Sequence, residues 1–567
     1  MEEPAVERRP SNTVQEHDED RLAQFGYKQE LKRDWGLAHN FGVSFSIISV
    51  ITGITTLFSY GLATGGPGVM SVGWILVSFF TLLVAIAMAE IVSAIPTSGG
   101  PYFWAALLAP PRWSPFAAWL TGWFNLLGQV AVTTGISFGL AGLIATAATV
   151  KNPGFEGNAS QTIGIYAAVL VSHGLVNSFG VHILKHLNNV SIVLHSAGVS
   201  AIAIAVLAKA PTHQPASFVF STFYDGTGVD GVGWSIRASP AYVAMCGALM
   251  SQYTLTGFDA SAHLSEETRK ADWSAPIGVV SSVGFSAIFG FFVLMAFLFS
   301  IQDFSATLDN QYSQPVLKIL VDVFGEDGAL AVFSIIISEF PLSAAPSCIW
   351  KLISCATVCV WHCGLFSMTS NSRMMFAFSR DGGIPSFFHK VDERFRSPIR
   401  TVWLAATLSF ILALPSLGSS VAFSAATSIA TIGLYISYGL PILIGLIWHK
   451  NFVAMKGPFN LQGMSRVVAT CACAWIGCIA VVFCLPTSNP VTDQTLNYTV
   501  VAVGIIGVGA VGTWIVWAHR WFTGPAEEVA EAMRFGVDPT EPGALERKEA
   551  EAMEHTKEVS GPRVSTR

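Results

Sequence analysis

Two Thr-Gly pairs inside otherwise apolar runs are the residues of this chain best suited to holding a small polar molecule. They stand in Ile51-Thr52-Gly53-Ile54 and in Leu255-Thr256-Gly257-Phe258. Glycine lacks a Cβ and threonine can turn its hydroxyl onto the backbone, so both spots favour an interruption in a helix. An interrupted helix in lipid is tolerable only where the freed N–H and C=O groups meet protein, water or a ligand. The chemistry expected is therefore reversible binding by backbone dipoles and hydroxyls. Paired interruptions in corresponding positions of two halves are a sequence pointer to the binding site of a secondary transporter. The dipeptide also occurs at Thr64, Thr121 and Thr134, and small residues also serve plain helix packing. Its place in the topology must therefore carry the reading.

Ionisable residues within apolar runs form the second set, because charge inside a membrane is costly and is retained for a reason. Asp259 follows the second interruption directly and is expected to meet either a substrate amine or a gate residue. Glu90 and Arg373 lie near the ends of their runs and are expected to form one gate network with Glu266, Glu267, Arg380 and Asp381. His173, His195 and His362 carry imidazoles that titrate near neutrality and suit proton coupling, although a neutral histidine bonded across helices is the blander reading of each. Hydroxyls at Thr369 and Ser370 would serve a sodium site, the weaker alternative. Pro96-Thr97-Ser98-Gly99-Gly100-Pro101-Tyr102 is a turn-rich loop, and no Gly-Lys-Ser/Thr follows it to cradle a phosphate. No HExxH, nucleophile elbow or paired catalytic carboxylates are visible, so no enzyme and no cofactor is expected.

The elements that must position these residues are membrane spans. The chain has 567 residues, 52% hydrophobic and 12% charged, against roughly 25% charged in soluble domains. Its net charge of −6 gives no reason to expect nucleic acid. The nine cysteines lie mostly in apolar runs and suggest neither a disulfide framework nor a zinc site. About twelve runs are long enough to span a bilayer, which predicts an all-α membrane protein. Residues 39–521 form its transmembrane domain, between polar tails at 1–38 and 522–567. Lys and Arg concentrate in the connections on the N-terminal side, including Arg112, Lys185, Arg269 and Arg380 to Arg400. Both tails are thus expected in the cytoplasm.

Four stretches then resemble the amino acid–polyamine–organocation superfamily, in particular its fungal amino acid, GABA and choline permease branch. They are Leu22–Leu31 running into Phe45–Ile54, Ala89–Trp104, Gly257–Ala260 with His263–Thr268, and Ser372–Pro385. The resemblance implies a LeuT-like fold with a 5+5 inverted repeat, two added helices, and breaks in helices 1 and 6. It implies that N–H groups around Ser49, Val50, Thr52, Gly53 and Ile54 receive a substrate carboxylate. Carbonyls near Tyr253, Thr254, Thr256, Gly257 and Phe258 would receive the amine. Phe258 resembles a lid with cation–π capacity, and His195 resembles a fifth-span cation that substitutes for sodium. A small amino acid, GABA or related amine carried with protons by alternating access is the activity implied. A choline or polyamine permease, an exchanger, and a non-transporting amino acid sensor are the alternatives. The plasma membrane is the expected location, with the vacuolar membrane as the other candidate.

One region departs from that pattern. The run at 328–378 is too long for one span, and Glu339, Pro341, Pro346 and Lys351 interrupt it. Codons for Ser338-Glu339-Phe340 and for Lys351–Val358 can carry splice donor, branch and acceptor sequences. Residues 338–357 therefore read either as a retained intron or as a real loop.

Overall fold

The computed structural model describes residues 18, 22–23, 25, 27, 29–152, 155, 157–229, 231–337, 359–418, 422–493 and 495–525, with the side chains of 151 and 334–337 also outside the description. The anomalous segment 338–357 and nearly all of the C-terminal tail lie outside the described residues. Helices account for most of what is described. The longer ones are α1 (Leu37–Ile48), α2 (Val50–Ala63), α3 (Gly66–Ala94), α4 (Pro101–Leu108), α5 (Ser114–Lys151), α6 (Ala159–Phe179), α7 (Val181–Val193) and α8 (Val199–Lys209). After a loop come α9 (Pro240–Gly247), α10 (Leu249–Thr254), the single turn α11 (Ala260–His263), α12 (Ala271–Phe299) and α13 (Pro315–Ile337). The last are α14 (Cys359–Arg380), α15 (Ile399–Ala413), α16 (Ala422–Ile447), α17 (Ser465–Val482) and α18 (Thr499–Val516).

Ten helices among the described residues are long and apolar enough to cross a membrane, counting α1–α2 and α7–α8 each as one. The expected sixth and eighth spans are not among the ten. The sixth falls into the short pieces α9, α10 and α11. The eighth, α14, carries Ser367, Thr369, Ser370, Asn371, Ser372 and Arg373, all buried against protein, which lowers its apolar character without exposing polar groups to lipid. Helix α13 begins at Pro315, earlier than the run expected from 328, and Gly325 interrupts it at φ 70°.

Burial sorts the helices into centre and rim. The most apolar stretch of α1–α2 is 89% buried and that of α18 only 11%, so the first span is a core element and the last presents Ile505, Val508 and Ile515 outward. Helix α2 packs on α10 while α1 packs on α11, so the two interrupted rods run side by side in opposite directions. Around them, α12 packs on α3 and α1, while α5 packs on α14, α15, α6 and α16. A short antiparallel pairing of Thr64–Gly65 with Tyr224–Asp225 ties the far end of α2 to the loop after α8.

Candidate functional site

The first rod leaves helical geometry at Ser49, which lies in the left-handed region at φ 30°. That residue accepts from the N–H groups of Thr52 at 2.8 Å and Gly53 at 3.2 Å through its carbonyl. A helix start leaves N–H groups without intrahelical acceptors, and α2 starts at Val50, directly after Ser49. The Ser49 and Thr52 hydroxyls are hydrogen bonded to each other. Val50, Ile51 and Ile54 are buried around this turn.

The second rod stops at Thr254. Thr254 and Thr256 turn their hydroxyls back to the carbonyls of Met250 and Gln252, each at 2.6 Å. These bonds satisfy the end of α10 and leave the following residues free to depart from the helix. Gly257 then adopts φ +97°, a conformation that a side chain would strain. The two rods touch at these points. A Cβ on Gly53 would stand 2.7 Å from the Cα of Thr254, and one on Gly257 would stand 2.5 Å from Ile47 Cγ2.

Between the rods lies a narrow cleft lined by Ile47, Thr52, Gly53, Tyr253, Thr254, Thr256 and Cys363, with Val132 and Ile136 from α5. Its free volume is about 10 Å³, room for roughly one water. The conformation is therefore closed over the site, and a substrate requires the helices to part. The Tyr253 hydroxyl is buried without a hydrogen-bond partner among the described residues and points at Gly135, where an added Cβ would stand 2.7 Å from it. The Phe258 ring is fully buried and packs on Tyr438 with centroids 5.2 Å apart, and on Tyr435 at 6.4 Å. It floors the region beside the cleft and does not line it.

His195 joins this site from the fifth span. It sits in a π-helical turn, Leu194–Gly198, between α7 and α8, a local widening common at functional positions. Its Nδ1 lies 2.9 Å from the Ser191 carbonyl and its Nε2 lies 2.8 Å from Ser49 Oγ. His195 thus contacts the residue that breaks the first rod. The other histidines do not reach the cleft. His173 packs at a tilt on Trp361 and His362 lies against Phe366. The hydroxyls considered for sodium also part company: Thr369 bonds Asn177 at 2.7 Å instead of a first-span carbonyl. Cys363 takes that place, donating to the Ile47 carbonyl at 3.0 Å.

The charged residues form a separate cluster at the end of the rods near α11. Arg380 grips Glu266 with two nitrogens, each at 3.2 Å, and Arg373 meets Glu267 at 2.8 Å. Asp381 accepts from the Tyr27 and Tyr102 hydroxyls at 2.9 Å each, and the Arg380 guanidinium lies 3.6 Å above the Tyr27 ring. Residues expected to trail as a tail complete the cluster. The N–H groups of Asp34 and Trp35 donate to the Glu267 carbonyl, and Arg33 donates to the Thr268 carbonyl at 2.7 Å. Outside the membrane spans, burial and the Asp381 charge together push the Tyr27 hydroxyl well above its ordinary pKa, so it remains a donor to Asp381.

Glu90 is a correction. The structure places it away from this cluster, accepting from the Leu461 N–H at 2.9 Å and the Ser465 hydroxyl at 2.7 Å. An acidic residue there satisfies the start of α17 and complements its dipole. Asp259 also stands apart from the arginines, held by Gln129 of α5 at 2.7 Å.

Three contacts around the broken rods carried no flag in the sequence: Cys363, Gln129 and Gln252. Gln252 bonds Thr81 at 3.0 Å, accepts from Trp475 at 2.9 Å and reaches the Tyr435 hydroxyl. An uncharged amide inside an apolar run was the visible signal for both glutamines.

Comparison with known proteins agrees over nearly the whole chain. The profile of the family described as Amino acid permease matches residues 40–510. The chain is 43% identical over 517 residues to the amino-acid permease BAT1 homolog of Oryza sativa subsp. japonica, covering 89% of this chain and 95% of that protein. It is 40% identical to amino-acid permease BAT1 of Arabidopsis thaliana, covering 90% and 96%. An uncharacterized amino-acid permease of Schizosaccharomyces pombe, C15C4.04c, is 30% identical over 90% of each chain.

Proposed function

Since the chain belongs to the amino acid permease family and is an integral, multi-pass membrane protein, we propose that it carries a small amino acid, GABA or related amine by proton-coupled alternating access. The observation that carries the reading is the contact of His195 with Ser49 at the break of the first rod. A backbone carbonyl only accepts, so His195 Nδ1 donates to Ser191 and a neutral Nε2 accepts from the Ser49 hydroxyl. Protonation of His195 puts a hydrogen on Nε2. Ser49 then becomes the acceptor and its own hydrogen turns to Thr52. Proton binding thereby reverses the polarity of a hydrogen-bond chain that ends on a cleft residue. In this reading the N–H groups at the start of α2 take the carboxylate, and carbonyls around Gly257 take the amine.

The orientation proposed puts both tails and the Arg380 cluster in the cytoplasm, in accord with the Lys and Arg distribution, with the plasma membrane as the site of action. The test is uptake of a labelled panel of neutral, basic and acidic amino acids, GABA and choline, with and without an imposed proton gradient. Accumulation of one or more amino acids that collapses with the gradient is expected. Uptake of choline alone, gradient-independent exchange, or binding without uptake would each replace this reading with another.

A further inference from the structure

Asp259 and His263 lie four residues apart across the start of α11, and both are fully buried. His263 Nδ1 is 2.9 Å from the Ser98 carbonyl oxygen, so Nδ1 carries a hydrogen and a neutral ring would leave Nε2 bare. That Nε2 stands 3.3 Å from Asp259 Oδ2 and has no hydrogen-bond partner among the described residues. Oδ2 already accepts from Gln129, and Oδ1 has no hydrogen-bond partner among the described residues. Without another proton, a nitrogen lone pair would face a carboxylate in a site closed to water, a costly arrangement. One proton makes the contact favourable, either as imidazolium against carboxylate or as carboxylic acid donating to Nε2.

The surrounding groups can steady the Asp259 carboxylate, but none among the described residues donates to His263 Nε2. Gln129 of α5 is neutral, and Tyr435 and Tyr438 of α16 face Asp259 as phenols. Nearby on the same segment, Glu266 is held by the Ser98 N–H and by Arg380, and Glu267 by Arg373. His263 and Glu266 therefore grip one turn, Ser98, by its carbonyl and its N–H respectively.

We propose that Asp259 and His263 share one exchangeable proton, and that this proton locks the cytoplasmic end shut. The proposal rests on the alternating access and orientation of the preceding reading, but not on coupling through His195. When the proton passes to entering water, the carboxylate and a neutral imidazole remain, and they no longer favour the closed geometry. No bond other than that to the proton breaks, and no electron moves.

The test measures exchange in intact cells expressing the full chain, using the amino acid best transported in the uptake panel. Cytoplasmic pH is set between about 5 and about 8 by a permeant weak acid or base, at constant external pH. Wild-type exchange is expected to slow several-fold toward acid. His263→Gln, whose amide still donates to Ser98 but takes up no proton, is expected to flatten the profile. Asp259→Asn is expected to do the same, and it carries the test if the first variant fails to reach the surface. Exchange needs no gradient, so gradient-independent uptake would sink the symport reading and leave this test standing. A flat wild-type profile, acid slowing retained in both variants, or a response to external pH alone would overturn the proposal.

Discussion

The cleft and the charged seal occupy the same pair of interrupted rods, yet they are built from opposite chemistry. Among the described residues no acidic or basic side chain lines the cleft, which offers backbone, hydroxyls, a thiol and apolar walls. The seal buries Glu266, Glu267 and Arg373 and half-buries Arg380 and Asp381, all in paired contacts. In the proposed cycle, a site that must release its ligand is served by several weak dipoles, and the charged cluster acts as the seal. A seal that must be firm when shut can use ion pairs, because opening gives both partners back to water and offsets much of what is lost. The contrast predicts that substitutions in the cleft act on transport and that those in the seal act on stability and on the balance between conformations.

The largest effect should come from filling the contact between the rods. Gly53→Val and Gly257→Val are each expected to abolish uptake while surface labelling stays near normal, because the new side chains meet Thr254 backbone and Ile47. Normal uptake in both would remove the cleft from the comparison altogether. His195→Ala is expected to lose accumulation driven by a proton gradient and to keep exchange. Unchanged pH dependence of uptake would detach His195 from coupling and leave its contact with Ser49 as structure.

In the seal, Arg373→Met leaves Glu267 buried without its partner, a loss of about 3–5 kcal/mol to be read as a lower thermal unfolding midpoint of the purified protein. Adding Glu267→Leu should recover most of that loss, and an unshifted midpoint in the single variant would show that the pair adds nothing. The smallest effect is expected from Tyr27→Phe. It keeps the ring under Arg380 and removes one hydrogen bond to a carboxylate, worth about 1.5–3 kcal/mol. Efflux should rise about tenfold or more if the bond is lost only from the closed state, and the unfolding midpoint should fall by less than in Arg373→Met. Efflux equal to wild type would mean that the N-terminal segment decorates the seal without holding it.

Legibility in the sequence followed the range of the interactions. The apolar runs were plain because membrane burial acts on whole segments. Of the two Thr-Gly pairs, the second stands at an observed break, while the first lies inside α2, just after the break at Ser49. The sixth and eighth spans were harder. Both owe their place to protein around them, α14 through a buried polar face and the sixth span through its broken backbone. Glu90 was misplaced for a similar reason. An acidic residue at the end of a run looks the same whether it meets an arginine or the start of another helix, and Leu461 and Ser465 lie some 370 positions away along the chain.

By itself the sequence determined that this protein lives in a membrane and which permease family it joins. Those are properties of composition and motif. The tertiary structure alone decided that Ser49 would break the first rod, that His195 and Cys363 would reach it, and that Asp259 would face His263 and Gln129. Each of these depends on which side of a helix meets which neighbour at hydrogen-bond distance. That registry comes from the packing of all the helices together and is written in no single segment.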